Sequence, residues 1–293
     1  MPPTTRDAAG RVPDRAWWTS AALVMMAIVA SPRLGQLPSA TADDRAPVVG
    51  ERRAARAVTV APRDHPVDRA KGAIADCQTR FAAVHDYTCT FVKRERIGGK
   101  LTTHVMRMKA RSSPLSLYFK FQQPNKGREA IYVSGRRGGK LLAHDVGFGR
   151  LIAGTMNLDP RGALAMEDCR HPITEAGIGS LIETVAKHWA LELTVEESAV
   201  LMDRNMTIGS RRCMLIEAAH PDRRPHFVFH KVRLYIDQEL GLPIRFEAYD
   251  WPRQPGASAE LMEEYSYLDL KINVGLSDHD FDPSNKSYSF GRF

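Results

Sequence analysis

Residues 114–135 read PLSLYFKFQQPNKGREAIYVSG. The first half alternates, with Leu115, Leu117, Phe119 and Phe121 on one side and Ser116, Tyr118 and Lys120 on the other. A period of two over that length specifies a strand with one apolar and one polar face. Pro124, Asn125 and Gly127 then supply turn chemistry, and residues 130–133 form a second short strand. The apolar face of this antiparallel unit must either pack on helices or line a cavity.

The same kind of unit recurs along the chain. Residues 87–97 and 101–111 are two strands joined through Gly98-Gly99-Lys100, a short glycine-containing hairpin loop. Gly135 to Gly139 turns the chain into a strand at 140–146, and is too short and wrongly placed for a phosphate loop. A second run follows at 199–208, 213–219, 227–237, 243–251 and 261–272, with a final edge strand expected at 287–290. Between the runs, 147–162 is irregular, 163–168 suggests a short helix, and 178–191 a longer one with Leu181, Ile182, Val185 and Trp189 on its apolar side. A first helix is predicted at 66–84, with Val67, Ala70, Ile74, Cys77, Phe81 and Val84 at helical spacing. Ten or eleven strands with short turns must curl or split. The predicted fold is therefore α+β, mainly β: a strongly curved antiparallel half-barrel sheet with helices covering the concave side. It forms a single domain at 66–293 with a helical insertion at about 147–194.

The start of the chain is of another kind. A leader carrying Arg6, Arg11 and Arg15 precedes an uncharged apolar run at 16–30. That run suits a signal-peptide core and is short for a spanning helix, which needs about 20 residues. Ala40-Thr41-Ala42 offers a cleavage pattern, so 1–42 reads as a signal peptide, with an uncleaved N-terminal anchor as the alternative. Residues 43–65 read as a disordered linker. The folded part then works in the periplasm or cell envelope, near a membrane. The formal charge of the whole chain is +7, and the surplus is spread out with no basic-aromatic stripe, which argues against nucleic acid.

Several of these segments carry a family likeness. Tyr87-x-Cys89-x-Phe91 with Arg94-Glu95, then PLSLYFKF and GREAIYVSG, then the run from Arg170-His171-Pro172 to Gly177-Ile178 resemble a family of exported bacterial proteins known only as a domain of unknown function. The likeness covers residues 70–282. More distantly, the layout is similar to the LolA and LolB lipoprotein carriers, closing on Phe281-Asp282-Pro283. That resemblance implies an open curved sheet whose concave apolar side, covered by helices, holds acyl chains. It transfers no residue roles.

The strand faces supply the binding candidates: Phe91, Met106, Met108, Leu117, Phe119, Phe121, Phe229, Phe246 and Tyr265, with Met156 as an adaptable addition. Four cysteines in an exported chain favour two disulfides among three connectivities. Cys77 with Cys89 is attractive because a helix end and the next strand start lie close, leaving Cys169 with Cys213; the alternative is four buried thiols. No compact metal-ligand set or nucleophile elbow is present, and no cofactor is expected. Asp278, Asp280 and Asp282 read as a solvated turn. Glu95, Glu129 and Glu175 are carboxylates that folding could pair, and His171 with Glu175 are the named residues of a residual hydrolase reading. The leading expectation is a non-catalytic carrier or chaperone for a lipid or lipoprotein acyl chain. The alternative is an envelope scaffold or sensor that binds a protein partner and has a filled core.

Overall fold

The computed structural model describes residues 65–146, 154–194, 196–254 and 256–291. The export segment and all of the linker but His65 lie outside them.

Helix α1 (Pro66–Phe81) opens with His65 as its cap, whose side chain accepts a hydrogen bond from the Val67 amide, and with proline in the first turn. Proline is tolerated there because that amide has no partner within the helix. Val67, Ala70, Ile74 and Cys77 are the buried stripe of this helix.

Eleven strands follow: β1 (Asp86–Ile97), β2 (Lys100–Arg111), β3 (Ser116–Gln123), β4 (Glu129–Val133), β5 (Leu141–His144), β6 (Thr155–Leu158), β7 (Ala199–Ile208), β8 (Arg211–Ala219), β9 (Lys231–Asp237), β10 (Pro243–Asp250) and β11 (Glu260–Ile272). They form one curved, wholly antiparallel sheet in the order β6-β5-β4-β3-β2-β1-β11-β10-β9-β8-β7. Each run is a meander, and the pairing of β1 with β11 is the single seam that joins them.

This order has a consequence for the helices. β6 and β7 are consecutive in sequence yet occupy the two outer edges of the sheet. The chain between them must cross the whole sheet. It does so through α2 (Ala163–Met166) and α3 (Ile178–Glu192), and Leu181, Ile182, Val185 and Trp189 of α3 join the buried cluster with the α1 stripe.

Gly177 starts α3 at a φ of 106°, and a Cβ there would lie 2.8 Å from Tyr87 Oη. The Ile178 amide donates to that same oxygen at 2.9 Å. Both the backbone conformation and the close approach require glycine. Two turns of sequence that looked unrelated, around Tyr87 and Gly177, therefore form one contact.

Three sequence expectations need correction. The irregular stretch at 147–162 contains strand β6, whose four residues show no clear alternation and owe their conformation to pairing with β5. Residues 287–290 are not an edge strand. They belong to a C-terminal segment that covers the outer face of the sheet, where Phe281 and Phe290 pack with Tyr118, Ile131, Val133 and Leu142. In that segment Asp278 pairs with Arg111 and Arg136, and Asp280 with Lys109 on β2, so two of the three aspartates clamp the tail to the sheet.

The cysteines are the third correction: Cys77, Cys89, Cys169 and Cys213 are all free thiols. Cys77 lies a full turn before the end of α1 and Cys89 is the fourth residue of β1. The connection thus joins the helix end to the strand start without bringing these two side chains together. Burial pushes the Cys77 thiol up to about 12, as expected of an inert thiol in an apolar setting. Cys169 lies beside Lys93 on β1, whereas Cys213 is on β8, four strand positions away in the sheet order. Adjacent strands are about 4.8 Å apart, so that pair is out of disulfide reach.

Candidate functional site

The inner face of the sheet divides into a filled half and a hollow half. Over β8 to β10, Ile216, Leu234 and Phe246 pack with α1 and α3 in one buried cluster. Burying each such side chain contributes roughly 1.5–3 kcal/mol. Of the residues singled out from the sequence, Phe229 and Phe246 belong here, and Met108 on β2 and Leu117 on β3 are likewise buried without lining the cavity of the hollow half.

The other half is read from the register. Cys89 pairs with Met108, Met108 with Phe119, Phe119 with Ala130, Ala130 with Ala143, and Ala143 with Met156. Directly paired residues share a face, so these six form one row across β1 to β6. In this row Met108 and Phe119 stand on one side of the two alanines and Met156 on the other. A cavity of about 230 Å³ lies there, roofed by α2, the turn Ile173–Glu175 and the start of α3. Phe91, Met106, Phe119, Phe121 and Tyr265 of the sequence candidates line it, together with Met156. Ala130, Ala143, Leu141, Leu158, Leu164 and Ile173 are also part of the apolar lining. Sequence reasoning passes over the alanines because a small side chain in a strand gives no pattern of its own.

One end of the cavity is polar. The alternation that places Tyr87, Cys89 and Phe91 on the inner face continues to Lys93 and Glu95. Two charges in alternation with apolar residues on one face of a strand are a signal legible in the sequence. Lys93 Nζ lies 2.9 Å from Glu95 Oε2, and also donates to the Asp168 carbonyl and Cys169 Sγ. Glu95 also accepts from the Arg170 amide and from the Tyr265 hydroxyl at 2.7 Å. A second buried carboxylate, Glu263, accepts from Arg170 Nε at 3.0 Å and lies 2.8 Å from His171 Nε2.

These contacts pin residues 168–171 to the sheet as one wall of the cavity. Burial by itself would raise the Glu95 pKa, but the charges of Lys93 and His171 and the hydrogen bonds from Lys93 and Tyr265 hold it below the usual carboxylate range. The same pairing reverses the effect of burial on Lys93, whose pKa is raised. Glu95 thus shares its network with Glu263, whereas Glu129 pairs with Lys120 and Glu175 with Arg161. His171 and Glu175, the two hydrolase candidates, are engaged by different partners.

His104 on β2 is the least committed polar group here. It is 3% exposed, lines the cavity, packs edge-on against Phe121 with ring centroids 5.8 Å apart, and its Nδ1 is buried without a hydrogen-bond partner among the described residues. Burial and then the Lys93 charge push its pKa below the ordinary histidine value. Among the described residues no group of three His, Cys, Asp or Glu side chains is arranged to hold a metal ion, and no helix is long and apolar enough to cross a membrane.

Residues 84–290 match the family described as "Protein of unknown function (DUF1571)". The chain belongs to that family. The match takes in both meanders, the crossing helices and the C-terminal segment. No curated protein matches the chain. Similar solved structures include a LolA superfamily protein from Nitrosomonas europaea, at 12% identity over 73% of this chain and 97% of that one, with a TM-score of 0.29. The Mycobacterium tuberculosis lipoprotein LppX is 10% identical over 73% of this chain and all of its own, at 0.41. The Pseudomonas aeruginosa MucA/MucB complex matches at 13% over 73% of this chain and 60% of that one, also at 0.41. These are distant likenesses, and the functional reading of this DUF1571 chain rests on its own cavity.

Proposed function

We propose that this chain is an exported, non-catalytic binder of an acyl chain, which it shields from water in the cavity under α2. The observation that carries this reading is the Ala130–Ala143 hollow, walled by Phe91, Met106, Phe119, Phe121, Met156 and Leu158. A well-packed interior leaves few voids larger than a water molecule, so an apolar hollow of about 230 Å³ is a place for a ligand. Its size is below the roughly 300–1,000 Å³ of ordinary small-molecule sites, which favours one slender chain over several. Each methylene buried contributes about 0.8 kcal/mol, enough for useful affinity with no catalytic residue. Leu164 on α2 lines the cavity while remaining exposed, which suits a rim where a chain enters.

The export segment read from residues 1–42 supports an activity in the periplasm or envelope, where the acyl chain would belong to a lipid or a lipoprotein. A scaffold with a filled core is the weaker reading, because close packing stops where the two alanines begin. The reading is tested by native mass spectrometry of protein purified from its own envelope, followed by titration of the delipidated protein with an uncharged naphthyl dye. Co-purified lipid and saturable dye binding support it. Lipid-free protein that binds no dye overturns it.

A further inference from the structure

The polar lining of the cavity selects among acyl compounds. Its cations are already engaged by groups of the protein itself. Lys93 Nζ has three acceptors, in Glu95, Asp168 and Cys169. Arg128 holds Asp145 through two parallel hydrogen bonds of 2.9 and 2.8 Å. Behind the wall, Arg170 is bound to Glu263 and to the Arg96 carbonyl. Glu167 and Asp168 add two further carboxylates to the lining. An ionised carboxylate or phosphate entering this space would lose hydration without gaining an uncommitted cation, and an unpaired charge is costly to bury.

An uncharged polar group meets a different situation. His104 lines the cavity beside Phe121, and its Nδ1 is buried with no hydrogen-bond partner among the described residues. A buried imidazole nitrogen without a partner forfeits a hydrogen bond that a ligand can restore. The charged groups acting on His104 are Lys93 and Arg128, which disfavour its protonation, and Asp168 and Glu95, which favour it; with burial, the balance leaves the ring neutral. A neutral imidazole with its proton on Nδ1 donates one hydrogen bond to a carbonyl and brings no charge of its own.

We propose that His104 is the specificity-determining residue of the cavity, where its Nδ1 hydrogen-bonds the carbonyl of an uncharged acyl ester or amide, so that esterified or amidated chains bind and free fatty acids are rejected. This rests on the reading of the cavity as an acyl-chain site. The geometry recognises the linkage of the chain rather than its length.

The experiment uses the delipidated full chain at pH 8, with an uncharged naphthyl dye as reporter and glycerol monolaurate and laurate as competitors. The expected result is displacement by the ester at a concentration about tenfold or more below that needed for laurate. In His104→Leu the affinity for the ester relative to that for the dye is expected to fall by about three- to tenfold, the size of one net hydrogen bond. His104→Gln, which restores a donor, should keep most of the preference. Equal displacement by laurate and ester, or an ester affinity unchanged relative to the dye in His104→Leu, overturns the inference while the proposed function stands. Absence of dye binding overturns both. If His104→Leu does not fold, the wild-type comparison and His104→Gln still decide the matter.

Discussion

Ala130 on β4 and Ala143 on β5 are paired directly across the sheet, and both line the cavity. Their neighbours along the same row are Phe119 and Met156. The hollow therefore comes from two missing side chains in a face otherwise built of large ones. Ala143→Leu is expected to fill it, abolishing dye binding while leaving the thermal midpoint within a few degrees, because added volume enters empty space. Dye titration and a melting curve on the same sample check this. Retained binding would place the ligand elsewhere.

Lys93 is the chief compensating charge for Glu95, whose side chain is 1% exposed. Lys93→Met leaves that carboxylate buried with two neutral hydrogen bonds, from the Arg170 amide and Tyr265, and without its ion-pair partner, a change that costs about 3–5 kcal/mol. The double variant Lys93→Met with Glu95→Gln should recover a large part of the loss. Denaturant unfolding of the single and double variants measures the coupling, and purely additive effects would show that the pair is not energetically linked.

Stability should fall in two steps as pH decreases. His104 and His220 have folded pKa values below the ordinary histidine value, so the unfolded chain takes up protons first. Stability is then lost as pH falls below about 6.5. Glu95 and Asp237 have depressed folded values, so their contribution is present above the ordinary carboxylate range and lost as pH falls through it towards the lower folded values. Melting temperatures from pH 8 to 3 test this, and His104→Gln should reduce the upper step.

Gly177→Ala places a methyl group 2.8 Å from Tyr87 Oη at a φ of 106°. The expected cost is about 1–3 kcal/mol of stability, because a strained backbone and a steric clash act together. Chemical denaturation checks this value. No loss would mean that α3 starts differently in solution.

Phe281 packs against Tyr118, Ile131, Val133 and Leu142 on the outer face, opposite the cavity. Phe281→Ala is expected to destabilise the fold by about 3–5 kcal/mol without changing ligand affinity. Calorimetry and dye titration at a temperature where the variant remains folded separate the two effects. A parallel loss of affinity would mean that the two faces of the sheet are coupled.

Much of the fold is legible in the residues. The alternation of Leu115, Leu117, Phe119 and Phe121 marks β3, and its apolar face lies inward as the period of two demands. Hairpins such as Gly98-Gly99-Lys100 follow from turn chemistry. β6 and the outer cover formed by Phe281 and Phe290 are not legible, because a four-residue edge strand and an irregular tail carry no period. The site is only half legible. Phe91, Met106, Phe119, Phe121 and Tyr265 are visible as large apolar residues on strand faces, but Met108, Leu117, Phe229 and Phe246 look the same and are buried without lining the cavity. Which large residue borders a void depends on what stands opposite it.

By itself the sequence determines that this chain builds two antiparallel runs of strands with one apolar face, a first helix and a helical insertion between the runs, since alternation, turn residues and helical spacing are local properties. Tertiary structure alone decides that β1 joins β11, that the path from β6 to β7 must cross the sheet, and that Ala130 meets Ala143. Those three facts depend on register between distant segments. The cavity, the buried Lys93–Glu95 pair and the unpartnered nitrogen of His104 exist only once that register is set.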